Sequence, residues 1–177
     1  MTDLSIVIVS FNARADLERC LRSLHQSPPA ASHEIIVVDN ASTDDSVQAA
    51  RTWPDVRVIE SSTNRGFAAA NNTGIRASAG PMLLLLNSDT IVPPGAIDRL
   101  LATLQNHSDA AAVGPRLVDG KGRAELSFGS MLTPLAEWRQ QRLMRGLERG
   151  DPAVREQVEA MTSEERFPTR GCARALG

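Results

Sequence analysis

The chain has 177 residues, of which 42% are hydrophobic and 23% charged, enough for one globular domain with a substantial core. Its formal net charge of -2 argues against nucleic acid or an acidic membrane surface as partner, because those need clustered Lys and Arg. Cys20 and Cys172 are too few and too far apart for a disulfide framework or a metal knuckle, so the expected compartment is a reducing cytoplasm, with peripheral contact at the inner face of the plasma membrane allowed.

From Met1 the chain passes directly into "LSIVIVSF" (Leu4 to Phe11), far shorter than the ~20 apolar residues a membrane span needs, and no basic leader precedes it. This run and "EIIVVD" (Glu34 to Asp39) are continuously apolar and rich in Val and Ile, as central parallel strands are. Between them Leu17, Cys20, Leu21 and Leu24 recur at i, i+3, i+4 and i+7, the stripe of a helix packed on a sheet. Ser42 with Asp45 three positions on reads as a capping box opening a second helix, and "VRVIES" as a third strand. An Ala-rich helix over Gly66 to Ala79 leads into "PMLLLLNSDT", whose four leucines read as sheet interior. Pro93, Pro94 and Gly95 open another helix, carrying Ile97, Leu100, Leu101 and Leu104, and "AAAVGPRLV" is expected as a fifth strand. Strands alternating with helices predict an α/β fold: a doubly wound, mostly parallel sheet with right-handed crossovers. It accounts for residues 1–125. After Arg123 the composition turns to balanced charge with Trp138, Leu143 and Leu147 as the regular apolar spacing, so 126–177 is expected as a separate, helical region.

Ligands of open α/β sheets bind beyond the carboxyl ends of the strands, so the polar residues there carry the chemistry. Strand one ends in Ser10, Phe11 and Asn12, strand two in Asp39 and Asn40, strand three runs on to "STNRGF", and strand four ends in Asn87, Ser88 and Asp89. Either acid alone has an ordinary use, satisfying loop and helix-start amides. The first βα turn, "SFNARAD", contains no glycine and no Gly-Lys-Ser/Thr occurs, which excludes a dinucleotide fingerprint and a P-loop. A phosphate-binding sheet without glycine loops needs another source of positive charge. A hard divalent cation held by a strand-end carboxylate is one, and Asp89 stands where that requires.

"SIVIVSFN", "IIVVDNASTDDS", "NRGFAAANNTGIRASAG" and "LLLLNSDT", in that order and spacing, resemble the family 2 glycosyltransferases of GT-A type fold, particularly the bacterial branch with rhamnosyltransferase-like enzymes. The resemblance covers about Leu4 to Val118. It implies a Rossmann-like domain that binds a nucleotide-diphospho-sugar donor, with Asp39 accepting a hydrogen bond from the base. It makes Asn87-Ser88-Asp89 this chain's version of the family's metal-binding DXD motif. With Asn at its first position, Asp89 is left to face Mg²⁺ or Mn²⁺ and Asn87 to meet or support the ribose. Ser10, Phe11, Asn12, Asp39, Arg65, Gly66, Asn72, Asn87 and Ser88 form the expected nucleotide site. The implied activity is inverting, metal-dependent transfer of a sugar from a UDP- or dTDP-sugar to a glycan or polyprenyl-linked acceptor in cell-wall or polysaccharide synthesis.

The residue chemistry agrees with this at several points. A carboxylate only accepts, so Asp39 suits the imide N–H that uracil and thymine share and does not separate the two. Arg65 suits a phosphate or the face of the base, or stands solvated. Gly66 permits close backbone approach. Asn71 and Asn72 serve a ligand or local backbone, and Phe11 either stacks on the base or joins the core.

Sugar transfer by displacement also needs a general base, which the resemblance implies in a later acidic segment beyond an acceptor-side Gly-Ala motif. Gly171 and Cys172 look like the start of that motif, and "RGCARALG" stops there. Glu164 and Glu165 are the nearby acids and read as a solvated helix face, so no catalytic residue is assigned. The expectation is a donor-binding half that binds donor without transferring sugar, with apolar surface near the sheet and "PLAEW" favouring self-association, for instance as a homodimer. The alternative is a nucleotide-binding module without turnover. A receiver-like signalling domain would need paired acids after strand one and a Lys after strand five, where Ser10-Phe11-Asn12 and Gly114-Pro115-Arg116 stand instead.

Overall fold

The computed structural model describes residues 2–115, 117–118, 124–125, 151–154 and 156. The chain divides into two compact units, Met1–Leu101 and Ala102–Gly177. In chain order the elements are β1 (Leu4–Ser10), α1 (Arg14–Gln26), β2 (His33–Asp39), α2 (Ser46–Arg51), β3 (Val56–Glu60), α3 (Phe67–Ala77), β4 (Met82–Asn87), α4 (Ala96–Asn106), β5 (Leu117–Val118) and β6 (Ala124–Glu125). The first four strands form one parallel sheet in the order β3-β2-β1-β4. Strand order reverses between β1 and β4, and the carboxyl ends at that reversal form the natural ligand crevice of such a sheet.

The apolar runs explain which strands are central. β1 is buried along its whole length and β2 from Ile35 onward, because each has a strand on both sides and helices over both faces. On one face Leu4, Ile6, Ile8, Ile35 and Val37 meet the stripe Leu17, Cys20, Leu21 and Leu24 of α1, joined by Ala50, Val92 and Ile97. On the other, Val7, Val9, Ile36 and Val38 meet Ala70 of α3. Each fully buried Leu or Ile contributes about 1.5–3 kcal/mol. Helix α3 sits low on the sheet because Gly74 leaves room: a Cβ there would lie 2.3 Å from Val7 Cγ1.

Three local expectations change. The leucines of β4 are not all interior: Leu83 and Leu85 are 45% and 50% exposed while Leu84 and Leu86 pack on the α1 face. β4 is an edge strand among the described residues, and a run of identical apolar residues has no alternation to reveal that. The expected fifth strand is absent over 110–115; only Leu117–Val118 is extended, and it pairs antiparallel with Ala124–Glu125. Gly114 and Pro115 interrupt that run, since Pro lacks the N–H a ladder needs. Helix α2 starts at Ser46 with Asp45 at its N-cap, so Ser42 is outside the helix. Of the tail, 152–154 and 156 are helical; Trp138, Glu164, Glu165 and Cys172 lie outside the described residues.

Candidate functional site

Ser10 and Asp39 are the last residues of β1 and β2 and register partners, so their side chains share the α1 face. Both are buried, at 0% and 3% exposure. Asp39 Oδ2 accepts the Ser42 backbone N–H at 2.8 Å, but Asp39 Oδ1 and the Ser10 hydroxyl have no hydrogen-bond partner. They are the buried side-chain polar atoms left without a partner among the described residues. A buried acceptor without a donor costs about 1–3 kcal/mol, so such an atom in a native fold calls for an explanation.

The loops above these strand ends are tied to each other. Asn12, at φ +50°, accepts from the Thr43 backbone N–H at 2.8 Å and from its hydroxyl at 3.2 Å, and its own N–H donates to Ser42 Oγ at 2.9 Å. Its carbonyl oxygen is therefore occupied in holding the loop. Ala41 adopts φ +67°, rarely tolerated outside Gly and Asn, and this bend leads into the N–H that Ser42 presents to Asp39. Asp44 accepts from the Arg14 N–H at 3.1 Å and from both the N–H and hydroxyl of Ser46; the Ser46 hydroxyl is the main reason its carboxyl sits below the usual range. Phe11 is 47% exposed at the end of β1, which removes the core reading of that ring.

One position past Asp39, the chain turns to the other face. Asn40, 3% exposed, donates through Nδ2 to Asn64 Oδ1 at 2.7 Å and accepts the Arg65 backbone N–H on Oδ1 at 3.0 Å. Asn64 Oδ1 also accepts the Gly66 N–H at 2.9 Å. Gly66 then opens α3 at φ +83°, a conformation that suits glycine. Arg65 is exposed, and its guanidinium makes no hydrogen bond or ion pair among the described residues. Asn71 is buried and donates to the Phe67 carbonyl at 3.0 Å, whereas Asn72, the sixth residue of α3, is exposed. Asn64 opens the "NRGFAAANNTGIRASAG" stretch, but no role was assigned to it from the sequence. Its signal was local: an Asn two residues before a Gly, an arrangement that folds back on the backbone.

At the end of β4, Asn87 and Asp89 are exposed and Ser88 is half-buried in a turn closed by the Thr90 N–H on the Asn87 carbonyl at 3.1 Å. The buried Cys20 thiol lies 3.7 Å from that carbonyl. Burial, with the negative charge of Asp89 second, pushes the thiol up to about 12, so it stays protonated and bridges α1 to the strand end. The Asp89 carboxylate makes no hydrogen bond or ion pair among the described residues. No group of three His, Cys, Asp or Glu that could hold a metal occurs among them. That donor set fits a Mg²⁺- or Mn²⁺-type ion shared between one carboxylate, phosphate oxygens and water, and does not fit an all-protein cage.

The site thus has a buried donor–acceptor pair under a fixed loop, an exposed aromatic, an exposed cation on a second loop and an exposed carboxylate, all beyond the carboxyl ends of the strands of one parallel sheet. The family model for Glycosyl transferase family 2 matches residues 5–161, and the chain belongs to that family. Among curated relatives, the succinoglycan biosynthesis protein ExoU of Rhizobium meliloti is 33% identical over 148 residues, covering 70% of this chain and 43% of that protein. The N-acetylglucosaminyl-diphospho-decaprenol L-rhamnosyltransferase of Mycobacterium tuberculosis is 33% identical over 136 residues, covering 69% and 44%. The chain spans under half the length of both. The sheet is of the GT-A type: a mannosyltransferase from Pyrobaculum calidifontis, solved with GDP-Man and Mn²⁺, superposes with TM-score 0.54 at 27% identity, over 57% of this chain and 32% of that one. S. aureus TarS 1–349 with UDP-GlcNAc gives TM-score 0.56 at 19% identity over 67% and 38%, a likeness of fold alone.

Proposed function

We propose that this chain binds the nucleoside diphosphate of a UDP- or dTDP-sugar at the carboxyl ends of β1, β2 and β4. The bound sugar goes, with inversion, to a glycan or polyprenyl-linked acceptor in a cytoplasmic step of polysaccharide or cell-wall synthesis. The observation that carries the reading is Asp39 Oδ1, a buried acceptor without a donor at the end of β2. The imide N–H of uracil or thymine supplies that donor, and the Ser10 hydroxyl beside it can donate to a ring carbonyl. The exposed Phe11 ring is available to the face of the base, and Asn12 holds the loop that carries it. Arg65, on the loop that ends at Gly66, neutralises phosphate, and the exposed Asn72 of α3 is available to the donor. Asn87 and Ser88 support the ribose, and Asp89 would hold Mg²⁺ or Mn²⁺ against the diphosphate. Such a cation neutralises charge on the departing diphosphate. The relative solved with GDP-Man and Mn²⁺ supports metal use and makes guanine, which also presents a ring N–H, the competing base.

Titration of the 177-residue chain with UDP, dTDP and GDP, with and without Mn²⁺, tests this. Tighter binding of UDP and dTDP than of GDP, strengthened by metal, is expected. Preference for GDP would overturn the pyrimidine assignment. Metal dependence that survives Asp89→Ala would remove Asp89 from the metal.

A further inference from the structure

The side chain of Asn40 is buried and hydrogen-bonded through both its nitrogen and its oxygen. It is 3% exposed; its nitrogen donates to Asn64 at 2.7 Å and its oxygen accepts from Arg65 N–H at 3.0 Å. The amide orientation is fixed by these partners, since Asn64 Oδ1 already accepts the Gly66 N–H at 2.9 Å and must face a donor. Two successive backbone N–H groups, of residues 65 and 66, thus point inward at side-chain oxygens. The Arg65 side chain is turned outward. The Asn40 backbone N–H donates to the Ser10 carbonyl at 2.8 Å, so the anchor of this arrangement is bolted to β1 as well as β2.

We infer that Asn40 is a positioning residue which fixes the Asn64–Gly66 loop so that the Arg65 guanidinium meets the diphosphate of the donor. The inference rests on the donor-site reading above and adds a division of labour to it. Asp39 serves the base from one face of the sheet, and Asn40, the next residue, serves the phosphates from the other. Without the amide, Arg65 and Gly66 regain the freedom of an exposed loop, and the cation spends most of its time away from the ligand. Asp at this position keeps the acceptor for the Arg65 N–H but sets a carboxylate against Asn64 Oδ1, so it breaks the arrangement at one known bond.

The test measures binding of UDP and of uridine, both with Mn²⁺, to the full 177-residue chain and to Asn40→Asp, Asn64→Ala, Arg65→Ala and Asn40→Asp/Arg65→Ala. UDP affinity is expected to fall roughly tenfold in Asn40→Asp and in Asn64→Ala, with uridine affinity unchanged. In the Arg65→Ala background, Asn40→Asp should add nothing. A merely structural role would weaken uridine and UDP alike, or add in full to Arg65→Ala, and either result overturns the inference. Asn64 is exposed, so Asn64→Ala decides the matter if Asn40→Asp folds poorly. Absence of nucleotide binding by the parent chain would overturn the donor-site reading and this inference with it. UDP binding that all these variants retain would overturn the inference alone.

Discussion

The two ends of the β1–β2 pair carry the same kind of residue pair and treat it in opposite ways. At the amino end Ser5 is the register partner of Glu34; at the carboxyl end Ser10 is the register partner of Asp39. The first pair is closed. Ser5 Oγ donates to Glu34 Oε1 at 2.6 Å and accepts the Gly80 N–H at 2.9 Å, while Glu34 Oε1 also accepts the Ala79 N–H at 2.7 Å. The second pair is open, with the Ser10 hydroxyl and one Asp39 oxygen both lacking a partner. A serine opposite an acid is therefore mortar at one end and a socket at the other. What separates them is whether the neighbouring loop, 79–80 or 41–42, fills every acceptor.

The sharpest break of this comparison is at Asp39. Asp39→Asn keeps a carbonyl for the Ser42 N–H but turns an amide N–H₂ toward the incoming base. UDP affinity should fall roughly 5- to 150-fold, about 1–3 kcal/mol, with the unfolding midpoint in urea little changed. Equal affinity by calorimetry would mean the open oxygen serves something other than the base. The mirror experiment is Ser5→Ala, which removes one of the two donors to Glu34 Oε1 and takes the Ser5 acceptor from the Gly80 N–H. It should cost about 1–2 kcal/mol of stability in urea and leave nucleotide affinity unchanged.

Acid sharpens the contrast further. The Ser5 hydroxyl, then the Ala79 and Gly80 N–H groups and Arg57, hold the Glu34 carboxyl below its ordinary range. A carboxyl lowered in the folded state gives stability that is present above its unfolded pKa and lost as pH falls through the folded one. Denaturation curves of parent and Ser5→Ala should therefore draw together as pH drops below the usual glutamate range. A gap that stays constant with pH would show that Ser5 acts without Glu34. The smallest effect belongs to Ser10→Ala, which removes a hydroxyl that has no partner to lose. Stability should change by less than about 0.5 kcal/mol, and any loss should appear in nucleotide affinity alone.

Much of this was legible in the residues. Continuous Val and Ile placed β1 and β2, and the stripe of α1 is buried at all four of its positions, because a 3.6-residue period has one structural meaning. Polar strand ends marked the crevice, since the rule for open sheets depends only on topology. Other features gave no signal. "LLLL" is the same string on an edge strand as in a centre, and Ser42 with Asp45 mimics a cap whose oxygens other partners claim. The Asn40–Asn64 bond spans 24 residues, and nothing in either neighbourhood points to the other. The residues Arg65 and Gly66 stood out in the sequence, whereas the tie that holds their loop to the end of β2 came from the structure.

The adjacency of Asp39 and Asn40 at the end of β2 makes the length of that strand a coded quantity. Successive residues of a strand face opposite ways, so lengthening or shortening β2 by one residue would exchange the acid and the amide between the two faces. Insertions in the loops beyond leave the two residues on the faces they now hold. Within β2, a descendant that keeps the site cannot change by a single residue.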